Sequence, residues 1–164
     1  EISPNEIQDN PFTAVGKDGM LKTAGNDQSC NTMTASWGQM GIMWNKPVVH
    51  VYLRPQRYTK EFMEREQRFS VSFFNSAQYR PALNLLGAKS GRDGDKIVEA
   101  GLHMELLQGV PAFAEARLVL VCKKLYRQNL TADSFLDKGL IDAHYPAGDY
   151  HCLYVGEIEK VYAK

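Results

Sequence analysis

A chain of 164 residues, 44% of them apolar, is long enough to bury one core and short for two, so a single domain over residues 1–164 is expected. Its 19 Lys and Arg balance 19 Asp and Glu, which excludes a global basic field for nucleic acid or an anionic membrane and leaves any anion binding to local arrangements. Three widely spaced cysteines, Cys30, Cys122 and Cys152, exclude a disulfide framework and a structural zinc site, and no apolar run is long enough for a membrane helix.

In chain order, Met20 to Ala24 reads as a short strand ended by the turn signal Gly25-Asn26-Asp27. Thr32 to Trp37 is a second strand, and Val48 to Leu53 a third after Pro47. Thr59 to Arg65 reads as a helix with Thr59 as its N-cap. Arg68 to Phe74 alternates apolar and small polar residues, the period of a half-buried strand. Ala77 to Leu86 forms a second helix if Pro81 sits in its first turn, and the Gly-rich, charged run from Gly87 to Gly101 reads as a loop. Ala114 to Leu125 and Tyr150 to Tyr162 read as long strands able to bend around a barrel. The fold class is therefore mainly β with a few short helices, a closed barrel that leaves no exposed sheet edge.

No GxGxxG, GxxxxGK[ST], HExxH or GxSxG is present, so dinucleotide-fold, P-loop, metalloprotease and hydrolase readings have no foothold. Three polar constellations remain. In the strand Asn31-Thr32-Met33-Thr34-Ala35-Ser36-Trp37, the Asn31, Thr32, Thr34 and Ser36 side chains can meet a ligand on one side, while small Ala35 lets a planar molecule approach the backbone. Taken alone, that stretch reads more simply as a strand with one solvated face. In Leu53-Arg54-Pro55-Gln56-Arg57-Tyr58-Thr59, two Arg forks, the Thr59 hydroxyl and a helix start would cradle a phosphate. In Ser90-Gly91-Arg92-Asp93-Gly94-Asp95-Lys96, glycines free the backbone to approach a ligand, and Arg92 and Lys96 would serve its phosphate or ring. His151 lies in the last strand beside Cys152 and is a candidate catalytic group; His50, His103 and His144 have less to recommend them.

NTMTASWG, LRPQRYT, FSVSFF, SGRDGDK and GDYHCLYVGEI, in this order from about Asn10 to Val161, resemble the flavin reductase-like proteins of the FMN-binding split-barrel superfamily, above all the flavoredoxin-like branch. The resemblance implies a homodimeric split β-barrel with FMN held non-covalently near the subunit interface. It places Asn31 and Trp37 on the flavin, Thr59 by the phosphate with Arg54 and Arg57 as helpers, and brings Lys96 and His151 into the site. Two residues depart from the pattern: Gly19 stands where a large aromatic is expected, and Cys30 where an aromatic often precedes the Asn.

The resemblance further implies an oxidoreductase that passes hydride from NADH or NADPH to FMN and on to an acceptor, among them a possible acceptor protein. The alternative is an FMN electron carrier with no nicotinamide activity of its own. A reduced, cytoplasmic setting is expected from the cysteine usage and from a start, EISPNEIQDNPF, without the charged-then-apolar order of a signal peptide. Residue 1 is Glu rather than Met, which leaves open whether a leader precedes it.

Overall fold

Strand-forming runs separated by turns make nine strands in the computed structural model, which describes residues Glu1–Lys164. They are β1 (Met20–Gly25), β2 (Cys30–Ala35), β3 (Gly38–Met43), β4 (Lys46–Leu53), β5 (Arg68–Phe73), β6 (Met104–Leu107), β7 (Val110–Phe113), β8 (Leu118–Asn129) and β9 (Cys152–Ala163). Four helices accompany them: α1 (Tyr58–Arg65), α2 (Ser76–Ala88), α3 (Lys96–Glu99) and α4 (Gly139–His144).

Two residues decide how the sheet curls. Ser36 and Trp37 join β2 to β3, yet in the seven-stranded order β2-β1-β5-β8-β9-β4-β3 these are the two outermost strands. So short a link can connect opposite margins only if the antiparallel sheet rolls round on itself. The margins are joined by this link but do not pair, so the mainly β barrel is split, as the resemblance implies, and not the closed barrel without exposed edges read from the strand pattern. Register shifts in the β8–β9 ladder, between Val121 and Cys122 and between Lys124 and Tyr126, add the bend that two long strands need.

The pleat divides each strand between two cores. In β1, Met20 and Ala24 pack into the barrel interior with Val51, Phe69, Leu120 and Tyr154. Leu21 faces outward against Leu83 and Leu86 of α2 and Phe113 of β7. Lys22 falls on the inward set and is 1% exposed.

Several elements differ from the sequence reading. Helix α1 begins at Tyr58 with Arg57 in the cap position and no side-chain cap, so Thr59 is the second helical residue and not the N-cap. Pro81 is the sixth residue of α2 rather than part of its first turn. Its missing N–H removes the helical donor to the Ala77 carbonyl, which lies on an exposed face. The first long strand starts at Leu118, because residues 114–117 turn out of β7 through Ala116 N–H to Phe113 C=O at 3.1 Å, and it runs on to Asn129. The Gly87–Gly101 run contains the single turn α3. Strand β3 escaped notice because GQMGIM has weak strand composition and its hairpin turns at Trp44-Asn45, both at positive φ (53° and 58°), where Asn-Gly is the usual signal.

Candidate cofactor site

Strand β2 carries the polar run, and its pleat splits that run into two sets. Asn31 and Met33 turn toward the barrel: Asn31 Nδ2 donates to Thr59 Oγ1 at 2.8 Å, and Met33 packs on the inner core. Thr32 turns the other way, fully buried, with its hydroxyl 2.8 Å from Thr23 Oγ1 and 3.1 Å from the Lys22 carbonyl. Asn31 and Thr32 therefore cannot meet a ligand on one side, and the Thr32 hydroxyl joins strands instead. Thr34 Oγ1 donates to the Leu83 carbonyl of α2 at 2.6 Å, which leaves its remaining atoms with Ala35, Ser36 and Trp37 at the rim of a cavity. Gly19, at φ 82°, lies beside this strand with the Ala35 carbonyl 3.5 Å from where a Cβ would stand, in a conformation that disfavours any larger residue.

That cavity, about 450 Å³, is of the size that holds cofactors. One wall is the end of β2 with its link to β3, from Met33 to Trp37; the others carry Lys22, Tyr52, Arg54, Arg57 and His151. A smaller chamber of about 150 Å³ adjoins it and shares Met33, Gln56 and Arg57. Asn31, Thr59, Ser90, Gly91 and Lys96 line this second chamber, together with the start of α1. Neither lining contains a carboxylate. A third cavity, about 630 Å³, lies beyond Asn31 and Gly91 and presents Asp27 and Asp95 beside Lys96 and His103.

The basic groups are not equivalent. Arg57 Nη2 donates to the Gly87 carbonyl at 3.1 Å, which aims its fork along the seam between the chambers; burial, then Arg54, lowers its pKa. Lys96 is buried and donates to the carbonyls of Leu86 (3.0 Å) and Lys89 (2.9 Å) at the C-terminal end of α2. Burial, with Arg57 nearby, pushes its pKa down to about 8. Arg54 is committed elsewhere. Its Nη1 meets Asp149 Oδ2 at 3.0 Å, its Nη2 donates to the His144 carbonyl at 2.9 Å, and its guanidinium stacks over Tyr145 at 4.9 Å. It clamps the segment after α4 against the cavity. Arg92 pairs with Glu61 and lies over Tyr58 at 4.6 Å, so it lines neither chamber and braces the loop that presents Ser90 and Gly91.

His151 is 9% exposed, and its Nδ1 lies 2.5 Å from the Tyr145 hydroxyl. Burial, then the charges of Arg54 and Lys22, pushes its pKa down to about 4, so the ring is neutral at ordinary pH. Trp37 faces it at 5.4 Å and meets His144 edge-on at 5.2 Å, forming an aromatic rim. The sequence reading missed Lys22, Tyr52, Gln56 and Tyr145. Only Lys22 left a signal: a charged residue at the inward phase of an otherwise apolar and small strand.

The sequence profile of the family described as flavin reductase like domain matches residues 16–164. The chain thus belongs to the flavin reductase-like family. Solved structures share its fold. The FMN-binding protein from Thermus thermophilus with bound 1-cyclohex-2-enone is 24% identical at a TM-score of 0.68, over 88% of this chain and 69% of that one. Flavoredoxin of Desulfovibrio vulgaris (Miyazaki F) is 20% identical at 0.67, over 89% and 68%. The styrene monooxygenase flavin reductase of Pseudomonas putida S12 is 16% identical at 0.64, over 88% and 78%. A search of curated proteins gives no match.

Proposed function

We propose that the chain binds FMN in the two joined chambers and acts as an oxidoreductase, taking hydride from NADH or NADPH and passing electrons to an acceptor. The observation that carries this reading is the lining itself: in a chain of zero formal charge, Lys22, Arg54, Arg57 and Lys96 converge on one continuous space that contains no carboxylate. An anionic, partly planar ligand fits that composition, and the family membership supports a flavin.

In this reading Thr59, Arg57, Ser90, the Gly91 backbone and Lys96 hold the phosphate beside the uncapped start of α1. Asn31 steers the Thr59 hydroxyl through its 2.8 Å hydrogen bond. The β2 wall from Met33 to Ser36 flanks the ring, and Trp37 and His151 close the rim. FMN bound there supplies reversible two-electron chemistry. His151, neutral and held by Tyr145, offers a hydrogen bond without adding charge. Arg54 does not reach the phosphate in this assignment; it positions the segment that carries His151.

A homodimer accompanies this reading. Ile42, Met43 and Trp44 of the β3–β4 hairpin are exposed beside Tyr126, whose ring lies 6.1 Å from that of Trp44, on the unpaired edge strand β3. Sedimentation should give a dimer, and Ile42→Asp with Trp44→Ser should give a folded monomer; a wild-type monomer would reject it. No helix is long and apolar enough to cross a membrane, and the three free cysteines, two of them buried, suit a reducing compartment such as the cytoplasm.

The rival is an electron carrier, favoured by the edge-on packing of His144 on Trp37, which holds the indole at the cavity wall. The decisive experiment is the anaerobic visible spectrum of the FMN-loaded chain before and after NADH and then NADPH. Rapid bleaching supports the reductase; bands that persist with both donors pass the assignment to the carrier.

A further inference from the structure

Lys22 stands on the inward phase of β1 between Met20 and Ala24, with 1% of its surface exposed. Its Nζ crosses the barrel to donate to the Tyr52 carbonyl on β4. Strands β1 and β4 are separated in the sheet by β5, β8 and β9, so this strap spans the side where β2 and β3 do not pair. An ammonium has three donors. One neutral carbonyl takes one of them, and no carboxylate pairs with Lys22.

The charged and titratable groups that share its cavity are Arg54 and Arg57 from the turn after β4, Tyr52 of β4 and His151 before β9. The β2 wall contributes Met33 to Trp37, without charge, and the inner faces of β5 and β8 contribute Val71, Leu120 and the Cys122 thiol, which burial holds protonated. Asp149, the acid paired with Arg54, is committed to Arg54 at 3.0 Å and Gln56 at 2.8 Å. A buried cation beside other cations, with one neutral partner, is unfavourable until something brings negative charge to the cavity. Burial, and then Arg57, pushes the Lys22 pKa down to about 7, in line with that geometry.

Resting on the FMN reading, we propose that Lys22 is the charge partner of the reduced cofactor, binding a proton when the ring gains two electrons and releasing it on reoxidation. The electron pair, from the nicotinamide donor or dithionite, and one proton go to the ring and leave it with one added negative charge; a second proton goes to Lys22 Nζ. Oxidation returns both. Unlike a fixed cation, Lys22 would supply its charge only in the state that needs it.

The test uses the FMN-loaded chain labelled with 13C at lysine Cε, followed by NMR against pH before and after anaerobic reduction with dithionite. The expected result is one lysine that titrates near neutrality when oxidised and remains protonated at about pH 9 when reduced, a shift of about a hundredfold or more in proton affinity. Potentiometry near pH 8 should show about two protons per electron pair in the wild type and about one in Lys22→Met. A lysine signal that does not move on reduction, or a proton count unchanged in a folded, FMN-loaded Lys22→Met, overturns this inference and leaves the FMN reading standing. A chain that takes up no FMN overturns both. The wild-type NMR decides the matter even if the variant fails to fold.

Discussion

The two chambers of the site hold their charges by opposite means. In the small one, at the start of α1, Lys96 is tied to the carbonyls of Leu86 and Lys89 and Arg57 to that of Gly87, while Lys89 pairs with Glu99. In the large one Lys22 has a single carbonyl, and His151 is kept neutral by burial and by the cations around it. The cations of the small chamber are thus held in position, which suits one permanent anion such as the proposed phosphate, whereas Lys22 in the large one is left with donors to spare. This is the division expected where one end of a cofactor anchors and the other reacts.

Arg57, which lines both chambers, gives the sharpest way to break the comparison. Arg57→Met should weaken FMN binding about a hundredfold, the loss of charge-assisted hydrogen bonds, and should lower riboflavin binding as well because the seam is shared. Titration of flavin fluorescence with both ligands reads this directly. If FMN affinity falls and riboflavin affinity holds, Arg57 belongs to the phosphate end alone.

Lys22 comes next, in the protein without flavin. Its pKa of about 7 in the folded chain lies below that of a free lysine, so the unfolded chain holds the proton more tightly. Stability from this group is complete above the unfolded value, about 10.4, and is lost as pH falls toward 7. Between about pH 9.5 and 7.5 the wild type should therefore lose ~2 kcal/mol more in urea denaturation than Lys22→Met, which keeps only the dependence due to Lys96 and is the more stable at neutral pH. Parallel curves would mean that the amine keeps its proton in the barrel.

Gly91→Ala confines the damage to the small chamber. A Cβ there would lie 2.9 Å from Asn31 Cγ and 3.1 Å from Tyr58 Cδ2, displacing the amide that holds the Thr59 hydroxyl. FMN affinity should drop about tenfold with riboflavin affinity unchanged, the loss of one well-placed hydrogen bond to a charged group. Equal losses for the two flavins would show that Gly91 does not serve the phosphate.

The sequence made the small chamber more legible than the large one. LRPQRYT and SGRDGDK carry their functional groups within contiguous runs, so local turn chemistry and the fold resemblance sufficed to find Arg57, Thr59, Ser90, Gly91 and Lys96. The large chamber is assembled from strands β1, β2 and β4 and the segment before β9, and nothing local in Tyr52 or Tyr145 marks them as neighbours of His151. Thr32 fell on the wrong side because a list of polar residues was read without the period of two that a strand imposes. Arg54 and Arg92 sit in the right motifs, but an Asp149 some ninety residues away and a Glu61 on the facing helix claim their charges.

His151 offers the smallest effect and the finest discrimination between the chambers. Its folded pKa of about 4 lies below the ordinary value near 6.5, so the stability it contributes is complete above about pH 6.5 and is lost as pH falls toward 4. His151→Gln keeps a group able to meet the Tyr145 hydroxyl while removing the titration. Between about pH 7 and 5 the wild type should lose ~1 kcal/mol more than this variant in urea denaturation. The same variant should leave the preference for FMN over riboflavin intact, because His151 touches only the large chamber. A changed preference would tie His151 to the phosphate and dissolve the division between an anchoring end and a reacting one.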